Sequence, residues 1–320
     1  MLNGPQTANT GNTNSSINPQ LIDVERIEVL RGPQGTYFGR NATGGAVNIT
    51  TRKPTEDFYA EVGGGYGRLG TWNASGILNI PLVEERLFFR GSAYYEESDG
   101  FVENVNPVGG GSDTEFQSFR AALRFIPTDN TLIDLTVNYA KDEQGLPELV
   151  PNGLLGSGSA GLAAAAGFPG GINEVGFYPD NLRRVNFNLE ERQSNEFLTI
   201  VGRVEIDAGW ATITSVTGYL DTEFKSDDND LDGSSFGFLD QDRSVATESF
   251  SQEIRFAGAI GKNSSIDWVV GGIYAEDDKN QIFSVRSGQD GFLGLPTGFP
   301  IDTGDHYCPV KLTFPSRNYL

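Results

Sequence analysis

RIEVLRGPQGTYFGRNATGGAVNITTRKP, residues 26–54, decides how the whole chain is read. Two short runs with alternating apolar residues, RIEVL and GAVNITT, flank a stretch crowded with Gly32, Pro33, Gly35, Gly39, Gly44 and Gly45. Alternation with period two is the strand signal. A glycine-rich connection between strands implies tight turning and close approach of backbones, both of which a Cβ obstructs. Gly32-Pro33 ends the first strand, because proline has no N–H to give a ladder. Gly44-Gly45 marks a close approach or bulge ahead of the second.

Beyond Pro54, which breaks strand pairing, the same alternation repeats for most of the chain. In TLIDLTVNYA (131–140), Ile133, Leu135, Val137 and Tyr139 share one face, and Asp134, Thr136 and Asn138 the other. In LFFRGSAYY (87–95), Leu87, Phe89, Ala93 and Tyr95 oppose Arg90 and Ser92. About nine such segments are expected, at 58–67, 72–81, 87–97, 116–126, 131–141, 195–207, 210–222, 247–257 and 266–277. Their lengths exceed the usual strand of about 5–6 residues and suit a tilted strand crossing a bilayer, which takes about 9–11.

The connections alternate as well. Short turns at 81–86, 127–130, 208–209 and 258–265 interleave with long loops at 98–115, 142–194, 223–246 and from 278 onward. Long loops gathered at one end are the mark of an outer-membrane barrel, with short turns on the periplasmic side. A soluble sandwich or propeller gives no such asymmetry. Tyr94, Tyr95, Tyr139, Tyr219 and Tyr274 fall toward the long loops, and Phe88, Trp210 and Trp268 toward the short turns, as interfacial girdles would.

Composition agrees. The chain of 320 residues holds 41 Gly and is 11 % aromatic, and its net charge of −20 argues against nucleic-acid binding. One Cys and one His, Cys308 and His306, exclude an intrachain disulfide and most zinc sites. No run of 18 apolar residues forms a membrane helix. The first twenty residues are polar, poorly ordered in expectation, and lack the regions of a signal peptide.

VERIEVLRGPQGTYFGRNATGGAVNITTRKP resembles the C-terminal half of the plug domain of TonB-dependent outer-membrane receptors, closely and over about 35 residues. FYAEVGGGYGRLGTWNASGILNIPL and TESFSQEIRFAG resemble that family's barrel. The resemblance implies a mainly β protein, with part of a mixed α/β plug over residues 1–54. An antiparallel transmembrane barrel, partial and of about nine strands, would follow over 55–320. It implies a plug motif of Arg31, Gly32, Pro33, Gly35, Gly39, Arg40, Asn41, Gly44 and Gly45. It also implies a lock between plug and barrel, for which Arg31 and Glu253 are the matching residues; a pair of Glu253 with Arg255 is the competing reading.

Its functional implications are uptake of a scarce nutrient across the bacterial outer membrane, energised by TonB, with no cofactor and no enzymatic step. The cargo implied is a ferric siderophore, with cobalamin or an oligosaccharide as alternatives, and a non-transporting surface adhesin as the reading from another class. The front of the plug, the energy-coupling box and the signal peptide have no counterpart here, so contact with TonB is expected through a segment outside this chain. Lipid and lipopolysaccharide are the other expected partners, and the ligand-binding residues are not legible.

By strand parity the lumen face carries Arg90, Arg120, Arg124, Arg203 and Arg255 against Glu61, Glu205, Glu253, Asp134 and Asp267. The three complete long loops carry −4, −4 and −5 of the net charge, as solvated loops beside lipopolysaccharide would. In the third, Asp228, Asp230 and Asp232 with Gly233 match the first three ligands and turn glycine of a calcium loop. The twelfth position is Leu239 and no helices flank it, so an acidic loop without a metal competes with that reading. GYGRLG (65–70) fits a dinucleotide-binding pattern, but the strand-like TWNASGILNI follows it where a helix is required.

Overall fold

The protein is described by a computed structural model covering residues 22–33, 44–145, 183–230, 239–260, 266–287 and 310–316. The opening runs form a two-stranded antiparallel sheet, β1 (Val24–Arg31) and β2 (Gly45–Thr51), with Ile27 opposite Ile49 and Val29 opposite Val47. A Cβ on Gly45, whose φ is 142°, would collide with the Leu30 carbonyl oxygen. Close approach therefore explains this glycine, as the sequence suggested.

The long strands are β3 (Tyr59–Tyr66), β4 (Trp72–Val83) and β5 (Leu87–Ser98). A two-residue strand β6 (Glu103–Asn104) precedes β7 (Thr114–Thr128) and β8 (Thr131–Gln144). After β9 (Arg184–Val185) come β10 (Arg192–Asp207), β11 (Thr212–Asp230), β12 (Leu239–Ile260), β13 (Ile266–Ser287) and β14 (Val310–Ser316). Ten of these make one sheet in the order β14-β13-β12-β11-β10-β8-β7-β5-β4-β3, with every neighbouring pair antiparallel. All nine expected segments are strands, and β14 adds a tenth inside what the sequence presented as loop.

The sheet is inverted relative to a soluble protein. Phe119 is 50 % exposed, and Leu123, Phe125, Leu135 and Ile254 stand out beside it, whereas Asn79, Arg90, Thr214 and Ser249 are buried. An apolar face turned outward and a polar face turned inward is how a membrane barrel satisfies lipid and lumen at once. Phe119 lies by Tyr139 and Phe250 by Tyr274 toward the long loops, while Trp210 stacks with Trp268 at the other end, 6.2 Å between ring centroids. Phe88 corrects the girdle expectation: it is buried, because its parity is that of Arg90 on the inner face.

Strand ends depart from the sequence reading at the long-loop side. β11 runs to Asp230, β12 begins at Leu239 and β13 continues to Ser287, so most of what the sequence presented as the third loop is paired strand. A strand of 22 residues is about 75 Å long at the usual rise of about 3.4 Å per residue, far beyond what a bilayer needs. Past the membrane neither face meets lipid, so alternation lapses while backbone pairing continues through such pairs as Ser226↔Arg243 and Asp230↔Asp240.

The loop at 98–115 is ordered as well. β6 pairs in parallel with β9, and Val102, Val185 and Phe187 form a small core beneath them. The Asn104 amide donates to the carbonyls of Gly109 (2.9 Å) and Phe187 (3.1 Å), and its oxygen accepts from Phe187 N–H.

Candidate functional site: the seam between hairpin and wall

The hairpin lies against the inner face of the wall, and Asp23, just ahead of β1, is where charge joins them. Its φ of 58° is left-handed, a region in which Asp is several-fold enriched among non-glycine residues. The Asp23 side chain is fully buried. Arg90, from β5, donates to it through Nε at 2.6 Å and through a second hydrogen bond from Nη2. Two parallel donors on one carboxylate make the bidentate geometry that only Arg supplies. Arg120, from β7, reaches the same carboxylate at 3.4 Å and also donates to the Arg52 carbonyl at 3.1 Å. Only 5 % of the Arg90 side chain and 10 % of the Arg120 side chain are exposed. The Arg90 guanidinium also stands over the Tyr59 ring, 5.5 Å from its centroid.

A second fastening holds the segment that leads from hairpin to wall. Asn79 on β4 is wholly buried. Its amide donates to the carbonyls of Thr55 (2.9 Å) and Asp57 (2.6 Å), and its oxygen accepts from Thr55 N–H (3.1 Å). The segment thus borrows its hydrogen bonds from the wall, as a chain outside any ladder must. Within the hairpin, Asn48 donates to Glu28 at 2.6 Å, which holds the Glu28 carboxyl below its ordinary value.

The residues singled out from sequence distribute unevenly. Arg31 closes β1 in register with Gly45, and Gly32 follows with φ 84°. Pro33 and Gly44 border the next connection, while Gly35, Gly39, Arg40 and Asn41 lie outside the described residues. Glu253 stands 3.4 Å from Arg255 on its own strand, the competing pair. Of the other inward charges, Arg124 and Asp134 form a two-pronged pair at 2.7 and 2.9 Å, and Arg203 pairs with Glu205.

Asp228 and Asp230 lie on the end of β11, in a strand where a calcium loop was the alternative, and Asp232 is outside the described residues. The Asp228 N–H donates to Asp242, and the Asp230 N–H to Glu191. Among the described residues, no three Asp, Glu, His or Cys side chains gather as a metal site.

Asp23 and Asn79 were not legible as site residues. The available signal was the inward parity of Arg90 and Arg120, which sit on adjacent strands without a carboxylate beside them in register.

Residues 1–46 match the family model of the TonB-dependent receptor plug domain. Over 96 residues the chain is 35 % identical to the metal-pseudopaline receptor CntO of Pseudomonas aeruginosa, which covers 30 % of this chain and 13 % of that receptor. Over 112 residues it is 31 % identical to the pesticin receptor of Yersinia pestis, covering 34 % and 16 %. Among solved structures, the siderophore receptor PiuA of Acinetobacter baumannii superposes with TM-score 0.60 at 13 % identity, over 95 % of this chain and 44 % of that one. The ferric yersiniabactin uptake receptor FyuA of Yersinia pestis does so with TM-score 0.58 at 17 % identity, over 83 % and 38 %. The chain spans less than half the length of each of these relatives. Sequence and fold converge on the TonB-dependent outer-membrane receptors: residues 1–46 carry their plug-domain sequence, and the strands that follow share the fold of their barrels.

Proposed function

We propose that this chain is the plug-and-wall portion of a receptor that imports a ferric siderophore, with work delivered through TonB. The observation that carries the reading is the buried Asp23–Arg90–Arg120 junction. A plug fastened to its wall by desolvated charge closes the lumen to diffusion, so passage requires that the fastening be released by work. Relatives bearing the names metal-pseudopaline receptor and ferric enterobactin receptor support the choice of cargo. In this reading residues 1–54 belong to the plug and 55–320 to the barrel. The plug-motif residues serve tight turning inside the lumen, and Arg31 with Glu253 acts as a second fastening when Glu253 exchanges its Arg255 partner.

The test is deletion of the gene followed by growth and radioactive iron uptake under iron limitation, with ferric siderophores supplied singly. Loss of uptake for one siderophore, restored by the gene, is the expected result. Unchanged iron uptake with loss of cobalamin or oligosaccharide uptake would replace the cargo, and no dependent uptake of any solute would favour a surface adhesin. For the second fastening, Arg31→Glu and Glu253→Arg should each raise antibiotic leakage, and the combined swap should restore tightness.

A further inference from the structure

Arg90 and Arg120 share one carboxylate at the junction, but the wall around them is not equivalent. Across β3, β4 and β5, Tyr59 stands opposite Asn79, and Asn79 opposite Arg90. Side chains alternate along a strand, so Tyr59 and Glu61 share the inner face with Arg90. Strand spacing and rise set the Cα atoms of Arg90 and Glu61 about 12 Å apart, which two long side chains can span.

The Arg90 guanidinium already leans toward β3. It lies 5.5 Å from the centroid of the Tyr59 ring, and the Tyr59 hydroxyl donates to the Glu61 carboxylate. Asp23, Arg90, Tyr59 and Glu61 therefore form one row, in which an aromatic ring separates the arginine from a second anion. Glu61 is exposed, and its charge acts on Arg90. Arg120 is placed differently. Its register neighbours are Ser92 and Asn138, and Asp134 further along β8 is held by both prongs of Arg124.

We propose that Glu61 is the reserve partner of Arg90. When the hairpin withdraws Asp23, the guanidinium slides across the Tyr59 face and pairs with Glu61. Removing one partner of a buried ion pair is unfavourable because the other charge is left desolvated and alone. Exchange of carboxylates spares Arg90 that state, and the ring attracts the cation on the way. Asp23 is buried and gripped by two parallel hydrogen bonds, whereas Glu61 is exposed, so the docked pair stays the stronger of the two. The inference rests on the Asp23 junction being what fastens the plug, and it adds how that fastening opens reversibly.

The experiment is urea-driven opening of the intact receptor in planar bilayers, read as the fraction of conducting channels. Glu61→Gln leaves the docked pair in place and deprives the released Arg90 of its partner. Hydrogen bonds to charged groups contribute enough that opening should fall by roughly tenfold. Arg90→Gln removes half of the fastening and should open more readily than wild type. Once Arg90 is gone Glu61 has nothing to catch, so adding Glu61→Gln to Arg90→Gln should leave opening within about twofold of Arg90→Gln alone. Glu96→Gln is the control. Tyr94 holds Glu96 at 2.5 Å in the same manner, but further along β5, and the variant should open as wild type does. Heat-modifiable gel mobility checks that every variant is folded. A fall in opening that is equal with and without Arg90 makes Glu61 a support of β3 and overturns the exchange. Arg90→Gln that opens more readily, together with Glu61→Gln that opens as wild type, sinks the exchange alone. Arg90→Gln that opens no more than wild type sinks the junction and the exchange with it.

Discussion

Replacing Asp23 by Asn keeps the shape of the side chain and removes the charge that Arg90 and Arg120 share. Both guanidiniums stay where they are, nearly without solvent, against each other and an amide. Breaking a buried ion pair by removing one partner costs about 3–5 kcal/mol. Asn retains one acceptor for Arg90 Nε, so the lower end applies, about 3 kcal/mol, or a rise of roughly a hundredfold in the undocked plug. The assay is conductance of the receptor in planar bilayers, together with the susceptibility of cells to antibiotics too large for porins. The variant should open frequently where wild type is silent. Adding Arg120→Gln removes the surplus charge and should recover part of the loss, with a coupling of about 0.5–3 kcal/mol between the two positions. Arg86→Gln serves as the control for arginine lost from an exposed turn. If the Asp23→Asn variant conducts no more than wild type and its plug resists protease equally, the buried junction is not what holds the plug.

Three further outcomes follow from the same geometry. Asn79→Ala strips the linker of three hydrogen bonds; at about 1 kcal/mol each, cleavage by trypsin after Arg52 should accelerate tenfold or more. Leu135→Arg places a charge on the lipid face near the middle of β8, and folding into lipid vesicles should weaken by about 2–4 kcal/mol, while Thr136→Arg on the inner face should fold nearly as well as wild type. Gly45→Ala forces a Cβ onto the Leu30 carbonyl and should shift the β1–β2 register, read as loss of amide-exchange protection in the hairpin with the wall unaffected.

The strands were legible because lipid on one side and lumen on the other impose strict alternation on every residue between them. TLIDLTVNYA announced β8 and its inward Asp134 without any knowledge of neighbours, and parity alone assigned the five inward arginines. Strand ends were not legible. From Lys225 to Asp230 on β11 and from Asp240 to Ser244 on β12 the chain is polar on both faces, so the composition of a loop and that of a paired strand above the membrane coincide. The backbone ladder decides between them, and its partner lies on another segment. The same holds for residues 98–115, whose order comes from Asn104 meeting Phe187 across 83 positions.

The junction shows the boundary most clearly. From sequence, the lock was assigned a plug arginine and a barrel glutamate; in the structure a buried ion pair of opposite polarity stands at the base of the hairpin, made by Asp23. Nothing local to Asp23 marks it, since its partners are 67 and 97 residues away. They reach it because β5 and β7 are adjacent and registered with Ser92 opposite Arg120. The sequence by itself determined the alternation and the close approach at Gly45, because each is enforced by the immediate environment of the residue that displays it. Which carboxylate neutralises which arginine depends on strand register and on the seating of the hairpin against the wall, and those exist only once distant segments have paired.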